Sequence, residues 1–259
     1  MIRNRIPPIR EDIVKLDLTA GTFEKTYTAQ TFEVMYHKLN ALEKICENAS
    51  FFKLPKVLSS NQEEYKITQE YIPDLIPIRL LISRPELLKK LLFRIGAGLA
   101  EAHKNLNLEQ SKKEELPAPF SEMNGEKTFL HLDFNTVNVQ YHEATDNIYF
   151  LDWEITPLLE GNANYGSTFY DIIHMIYQLY LNEPYFFSNP KMKNSFVKAF
   201  VNGYENIHGM LDKKDFYNAG MIYFKVFEKF DKRVWWKYFL KKNNIKNFNL
   251  FLEQLKNSY

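Results

Sequence analysis

The chain has 259 residues, enough for one or two domains with a sizeable core. Its 33 Lys and Arg residues are balanced by 32 Asp and Glu residues, so no excess of charge points to nucleic acid or to an anionic membrane as a partner. The single cysteine, Cys46, excludes an internal disulfide framework and suits the reducing cytoplasm, and no segment has the unbroken apolar length of a membrane span.

The first third of the chain predicts strands around one helix. A short apolar run with Lys15 at its centre predicts a strand. A helix is predicted over residues 31–48, because apolar side chains recur there at helical spacing, namely Phe32, Met35, Tyr36, Leu39 and Leu42. Glu33 lies one step off this stripe. Two further strands are predicted, at Val57 and from Tyr65 to Tyr71.

A long helix is predicted next, with Ser83 as its N-cap and Pro85 in its first turn. It ends near His103, which we interpret as a structural histidine. The segment from Asn107 to Glu126 is polar and is interpreted as a solvated loop or, alternatively, a substrate flap. From Lys191 onwards the pattern is helical.

The centre of the chain carries the most informative pattern. A polar loop holds His131, Asp133, Asn135 and Asn138, and two short strands follow, predicted over 139–141 and 148–151. Because a hairpin returns the chain to its starting point, Asp152 is expected beside Asp133 and Asn138.

This grouping suits phosphate chemistry. Magnesium prefers oxygen ligands and is commonly held by one or two carboxylates together with substrate phosphates, a role that fits Asn138 and Asp152. Asp133 is then free to orient an attacking hydroxyl and to accept its proton. Asn135 either steers the acceptor or caps the turn.

The pattern H-x-D-x-x-x-x-N from His131 to Asn138, followed by D-W-E from Asp152, resembles the catalytic and metal-binding loops of the protein-kinase-like phosphotransferases. More narrowly, it resembles the aminoglycoside phosphotransferase and choline kinase family, in which Gly is usual at the position of Leu132. The resemblance implies an α+β, two-lobe fold, with a reduced N-terminal β-lobe over residues 1–73 and a mainly helical lobe over 74–259.

The resemblance also implies a function. It implies a kinase that uses ATP and Mg²⁺ and phosphorylates a hydroxyl of an aminoglycoside-, choline- or sugar-like acceptor. No nucleic-acid partner is expected, because the charges balance. The alternative is a catalytically weak or inactive nucleotide-binding or interaction module.

The resemblance assigns roles to further residues. Lys15 is expected to hold the nucleotide phosphates and to pair with Glu33, so both are expected at the cofactor site with Asn138 and Asp152. His131 is expected to support the catalytic loop by hydrogen bonding to the backbone, and Asp171 to brace that loop from below. Glu154 is expected either to help a second metal, to bind a cationic acceptor, or to face solvent.

One departure from the family concerns the phosphate-covering loop. None of the 14 residues before Lys15 is glycine, whereas backbone that closely approaches phosphate normally needs glycine. A rival alignment makes 21–27 the covering loop, but it then finds no lysine between that loop and Glu33.

Overall fold

The computed structural model describes residues 14–48, 51–153, 163–181, 189–232 and 235–256. The described part of the chain begins with a four-stranded antiparallel sheet in the order β1-β2-β4-β3. Its strands are β1 Val14–Asp17, β2 Thr22–Thr26, β3 Val57–Asn61 and β4 Lys66–Glu70. The strand predicted around Lys15 is β1, and β2 follows it across a turn in which Gly21 has a positive φ of 65°.

Helix α1 (Ala29–Asn48) packs against β3 and β4. Its buried apolar side chains are those of the predicted stripe, except Tyr36, which is exposed, together with Cys46. The spacing of three and four residues places one face of the helix on the sheet, so burial of that face holds the helix there.

The chain leaves this first sheet after Glu70 and enters a three-stranded sheet at β5 (Leu75–Pro77). There β5 pairs with β7 (Val139–His142), and β7 pairs with β8 (Asn147–Phe150). The observed hairpin agrees with the predicted one to within one residue at each strand end. The predicted lobe boundary after residue 73 falls in the connection between the two sheets and stays a prediction.

The remaining elements are mostly helical. A small sheet consists of β6 (Lys127–Phe129) and β9 (Tyr165–Ser167). The helices after α1 are α2 Pro85–Asn105, α3 Phe169–Leu181, α4 Pro190–His208, α5 Lys213–Lys232 and α6 Trp235–Lys256. The predicted cap of α2 is wrong, because Ser83 ends a preceding 3-10 helix and Arg84 occupies the N-cap position. Within the described ranges, no helix is both long and apolar enough to cross a membrane.

Helix α3 lies in the middle of the helical region and contacts α4, α5 and α6. Its side chains are buried around almost the whole circumference, including Asp171 and His174. Polar side chains buried in this way need partners, and those of α3 face the loop between β6 and β7, where the sequence predicts the active site.

Candidate active site

A cavity of about 570 Å³ lies between the two larger sheets. Its apolar lining comes from both sheets and from α1, and includes Val14, Phe23, Met35, Leu39, Leu75 and Phe150. Lys25, Asn138 and Asp152 line the same cavity. An apolar space with a cation, an amide and a carboxylate at its wall can hold a flat apolar group together with an anionic one.

Asp171 supports the loop that carries Asp133. Its Oδ2 accepts a hydrogen bond from the backbone N–H of His131 at 2.7 Å, and its Oδ1 accepts one from that of Leu132 at 2.8 Å. His103 Nε2 lies 3.0 Å from Oδ2 of the same carboxylate. This is the geometry that the predicted bracing role requires, and it gives His103 the structural place expected of it.

These bonds also hold an unfavourable backbone conformation. Leu132 has a φ of 75°, in the left-handed region that costs a residue with a side chain about 1–2 kcal/mol. Glycine would avoid this cost, which explains physically why glycine suits the position. Here the Leu132 side chain is buried in the core.

Asp133 and Asn138 are joined directly. The Asn138 side-chain amide donates to Asp133 Oδ2 at 2.9 Å and to the Asp133 carbonyl at 3.0 Å. Asn135 Oδ1 accepts from the backbone N–H groups of Val137 and Asn138, so Asn135 caps the turn, one of its two predicted roles.

The hairpin places Asp152 next to this pair. The Leu151 N–H donates to the Asn138 carbonyl at 2.8 Å, so the two ends of the hairpin lie side by side. Asp152 follows with a positive φ of 58°, a strained conformation often found at functional positions. Asp133, Asn138 and Asp152 are therefore brought together, as the hairpin pattern predicts.

The charge state of Asp133 is set by opposing effects. Burial raises the pKa of Asp133, but contact with His174, with smaller contributions from Asn135 and His131, outweighs burial and holds the pKa below its ordinary value. Asp133 is consequently a carboxylate at neutral pH and can accept a hydrogen bond from a hydroxyl.

The lysine at the cavity is Lys25, and the prediction of Lys15 for this place is wrong. Lys25 Nζ lies 2.9 Å from Asp152 Oδ1. Residues directly opposite each other in an antiparallel pair share a face, and Lys25 lies opposite Val14, which lines the cavity. Lys15 lies opposite Glu24, so it points to the other face of the sheet and is exposed.

The same strand pairing shows that the rival alignment, which made residues 21–27 the covering loop, is also wrong. Strand β2 lies between β1 and β4 in the sheet, and thus the segment proposed as a covering loop is the strand that carries the lysine. The prediction missed Lys25 because it assigned no strand to residues 21–27, which only the rival alignment used, as the covering loop. The alternation of Phe23, Lys25 and Tyr27 was the available signal, since all three line the cavity.

Glu33 is also not at the cavity. Its carboxylate is 61% exposed and pairs with Lys112 at 2.5 Å, so the predicted Lys15–Glu33 pair is wrong. Lys112 belongs to the segment predicted as a solvated loop, which in fact buries Leu116 and Phe120. A second cavity, of about 620 Å³, lies beside another face of α1 and is lined by Lys112 but by none of the predicted site residues.

Lys38 is a buried cation that the sequence prediction missed. Its Nζ donates to the carbonyls of Leu130 at 2.5 Å and Trp153 at 3.0 Å, just before His131 and just after Asp152. One side chain of α1 therefore joins the catalytic loop to the segment carrying Asp152. A signal was present, because Lys38 lies three residues after Met35 and four before Leu42, within the buried stripe.

The predicted hydrogen bonding of His131 is wrong for its side chain. Both ring nitrogens are buried and have no hydrogen-bond partner within the described part of the chain. The ring instead packs against Trp153, with ring centroids 4.5 Å apart. Burial, with a contribution from Lys38, lowers the pKa of His131 to about 4, so the ring is neutral and acts as a packing group.

The donor set fits a magnesium ion held partly by phosphate. The Asn138 amide nitrogen is used by Asp133, which leaves its oxygen as a ligand atom, and Asp152 supplies a carboxylate. In the ranges that the structure covers, no three His, Cys, Asp or Glu side chains form a metal cage. An incomplete set of oxygen donors is what magnesium uses when phosphates complete its coordination.

Glu154 and residues 1–13 lie outside the described residues. The alternatives for Glu154 and the form of any phosphate-covering backbone before β1 therefore stay predictions.

Known proteins resemble this chain in structure. No protein-family model matches the chain, and no curated protein matches it in sequence. Choline kinase LicA from Streptococcus pneumoniae matches with a TM-score of 0.53 at 12% identity, covering 95% of this chain and 89% of that chain. The amicoumacin kinase hAmiN, in complex with AMP-PNP, Ca²⁺ and Ami, matches with a TM-score of 0.54 at 12% identity, covering 92% of this chain and 89% of that chain.

A glucosamine kinase in complex with glucosamine, ADP and inorganic phosphate matches with a TM-score of 0.57 at 12% identity, covering 92% of this chain and 78% of that chain. At this identity the likeness concerns the fold. The chain therefore has the α+β, two-lobe, protein-kinase-like fold of these small-molecule kinases, which confirms at the level of the fold the predicted resemblance to the aminoglycoside phosphotransferase and choline kinase family.

Proposed function

We propose that the protein is a phosphotransferase that transfers the terminal phosphate of ATP to a hydroxyl group of a small molecule. The observation that carries this proposal is that Lys25, Asn138 and Asp152 line one apolar cavity between the sheets, with Asp133 hydrogen-bonded to Asn138 beside it. The same fold is found in kinases of choline, amicoumacin and glucosamine, which supports an acceptor of that size.

Each residue has a separate task in this proposal. Asp133 accepts a hydrogen bond from the acceptor hydroxyl and takes its proton as the oxygen attacks the terminal phosphorus. The new O–P bond forms as the bond from that phosphorus to the bridging oxygen breaks, and ADP leaves with the bonding electron pair. Asn138 and Asp152 would hold magnesium, which neutralises charge on the phosphates.

Lys25 takes the place that the sequence prediction gave to Lys15. In the structure its ammonium group is paired with the carboxylate of Asp152, so a cation lies beside the candidate metal ligand. We propose that it binds phosphate oxygens of the nucleotide, while the apolar lining from Phe23, Leu39 and Leu75 receives the base. Binding energy is thus divided between an apolar part and a charged part of the same ligand.

A panel of acceptors tests the proposal. Choline, glucosamine and several aminoglycosides would each be incubated with ATP and Mg²⁺, and the phosphorylated product detected by mass spectrometry. Asp133→Asn should lower kcat by about 10²- to 10⁴-fold, because the group that accepts the proton is lost. Asp146→Asn, an exposed carboxylate paired with Arg94 outside the cavity, is the matched control and should leave kcat unchanged.

Two results would contradict the proposal. One is ATP binding without phosphate transfer to any acceptor in a wide panel, which would favour a nucleotide-binding module. The other is transfer that Asp133→Asn leaves intact.

A further inference from the structure

We propose that His174 is a positioning residue for Asp133, with Tyr223 fixing the orientation of its imidazole ring. This inference rests on the proposed function, because it assigns a supporting group to the carboxylate that accepts the proton. The sequence prediction gave His174 no role.

The location of His174 follows from helix α3. It lies three residues after Asp171, so both side chains project from the same face of the helix, towards the catalytic loop. Asp171 binds the backbone of that loop, and His174 reaches its catalytic carboxylate: Nε2 lies 3.4 Å from Asp133 Oδ1. The His174 residue is 1% exposed, so no bulk water competes for this contact.

The two oxygens of Asp133 then have different neighbours. Oδ2 accepts from the Asn138 amide at 2.9 Å, whereas Oδ1 faces His174. At 3.4 Å the second contact is not yet a hydrogen bond, and His174 Nε2 has no hydrogen-bond partner among the described residues. Catalytic hydrogen bonds are often long without substrate and shorten when the reacting groups are bound. The remaining lone pairs of the carboxylate can then face the acceptor.

Tyr223 contacts the ring nitrogen of His174 that faces away from Asp133. Its hydroxyl lies 2.7 Å from Nδ1. A phenol that donates to Nδ1 leaves the proton of a neutral imidazole on Nε2, the nitrogen facing the carboxylate. The opposite arrangement would point a lone pair at an anion. Stacking of Tyr223 on Phe227, with ring centroids 4.1 Å apart, holds the hydroxyl in place.

Two isosteric substitutions separate positioning from packing. In His174→Gln the side-chain amide reaches the place of Nε2, so it can donate to Asp133 but cannot reach Tyr223 in the same way. In His174→Asn the amide reaches only the place of Nδ1, so the contact with Tyr223 survives and that with Asp133 is lost. Turnover of Mg²⁺–ATP with water as the acceptor would be measured for each, alongside stability in urea.

The proposal predicts that His174→Asn lowers kcat by about 10- to 100-fold while KM for ATP stays within about twofold, because misplaced catalytic groups slow the chemical step without weakening nucleotide binding. His174→Gln should recover most of kcat. Tyr223→Phe, which keeps the stacked ring, should lower kcat several-fold. Tyr170→Phe is its matched control and should have no effect, because the buried Tyr170 hydroxyl has no hydrogen-bond partner in the described part of the chain.

A double substitution completes the test. If His174 acts through Asp133, adding His174→Asn to Asp133→Asn should cause no further loss of turnover. Equal turnover in the Asn and Gln variants, or losses that only follow lost stability, would overturn the inference while leaving the proposed function intact. If Asp133→Asn itself retains full turnover, the proposed function fails instead.

Discussion

At the scale of single residues, the face of a strand decides which lysine can reach the cavity between the sheets. Lys15 and Lys25 lie on neighbouring strands, but only Lys25 shares a face with Val14 and the cavity. Side chains alternate along a strand, so an assignment that is wrong by one residue places a charge on the opposite surface.

Lys25→Met should weaken binding of Mg²⁺–ATP by about 10- to 100-fold, because charged hydrogen bonds contribute about 1.5–3 kcal/mol. Titration calorimetry measures the change directly. Lys15→Met removes the same charge from the exposed face of β1 and should leave Kd unchanged. Equal losses in the two variants would show that the cavity is not the nucleotide site.

Asp171 is the residue whose loss should affect stability most. It is fully buried, accepts two backbone N–H groups of the catalytic loop, and pairs with His103. Asp171→Asn should lower the free energy of unfolding by about 3–5 kcal/mol, since a buried hydrogen-bonded pair loses one partner. Urea denaturation at pH 7 measures the loss, and exposed Glu253→Gln, which removes the same charge on α6, should change it by less than about 0.5 kcal/mol.

The same carboxylate predicts a dependence on pH. Burial raises the pKa of Asp171, but the hydrogen bond and charge of His103, with His131, outweigh burial and hold it below its ordinary value. A carboxylate whose pKa is lower in the folded state stabilises the protein at a pH above its pKa in the unfolded chain, about 3.9. This stabilisation is lost as the pH falls through its pKa in the folded state. The difference in unfolding free energy between the wild type and Asp171→Asn should shrink as the pH falls below about 4, through the folded pKa of Asp171. A difference that instead grows on acidification would contradict this assignment.

At the scale of secondary structure, two glycines let α2 and α4 pack backbone to backbone. A Cβ built on Gly203 would lie 1.9 Å from the Phe93 carbonyl oxygen, and one on Gly96 would lie 2.0 Å from that of Phe200. Such contacts are possible only where no side chain separates the helices.

Gly203→Ala should therefore destabilise the protein by about 1–3 kcal/mol or more, although alanine ordinarily favours a helix over glycine by up to about 1 kcal/mol. Thermal and urea denaturation show whether the substitution lowers or raises the free energy of unfolding. Gly220→Ala on α5 is the matched control, because its Cβ would meet only the flexible end of Leu252, so its effect should be much smaller. Stabilisation by Gly203→Ala would mean that the two helices are further apart than described.

Elements whose pattern is local could be predicted from the sequence. The hairpin of β7 and β8 and the helix α1 were predicted to within about two residues, because alternation and helical spacing are visible in a short window. Strand β2 was missed because it has only five residues, Phe23 is the one apolar residue among them, and it lies next to a glycine turn.

The residues of the candidate site also differ in whether a local pattern or distant packing brings them together. The sequence predicted that Asp133, Asn138 and Asp152 lie close together, because a single hairpin connects them. Lys38 and His174 could not, because Lys38 is 92 residues from Leu130 and His174 lies on a helix whose packing depends on the whole core. Contacts between distant segments follow from packing, which a local pattern does not contain.

At the scale of the whole molecule, the two larger sheets contribute different parts of one cavity. The first sheet provides Lys25, and the hairpin of the second provides Asn138 and Asp152. Lys38 on α1 joins the loops that carry the catalytic and metal-binding candidates. A ligand in this cavity would contact elements from both parts of the chain and should stabilise them together.

The most direct measurement is therefore the unfolding temperature with ATP, in the presence and absence of Mg²⁺. At a ligand concentration of 100 Kd the folded state should gain about 2.7 kcal/mol, which corresponds to about 5–10 °C for a chain of this size. Asp152→Asn should remove the part of the shift that depends on Mg²⁺. An unfolding temperature that ATP leaves unchanged, with or without Mg²⁺, would contradict the account.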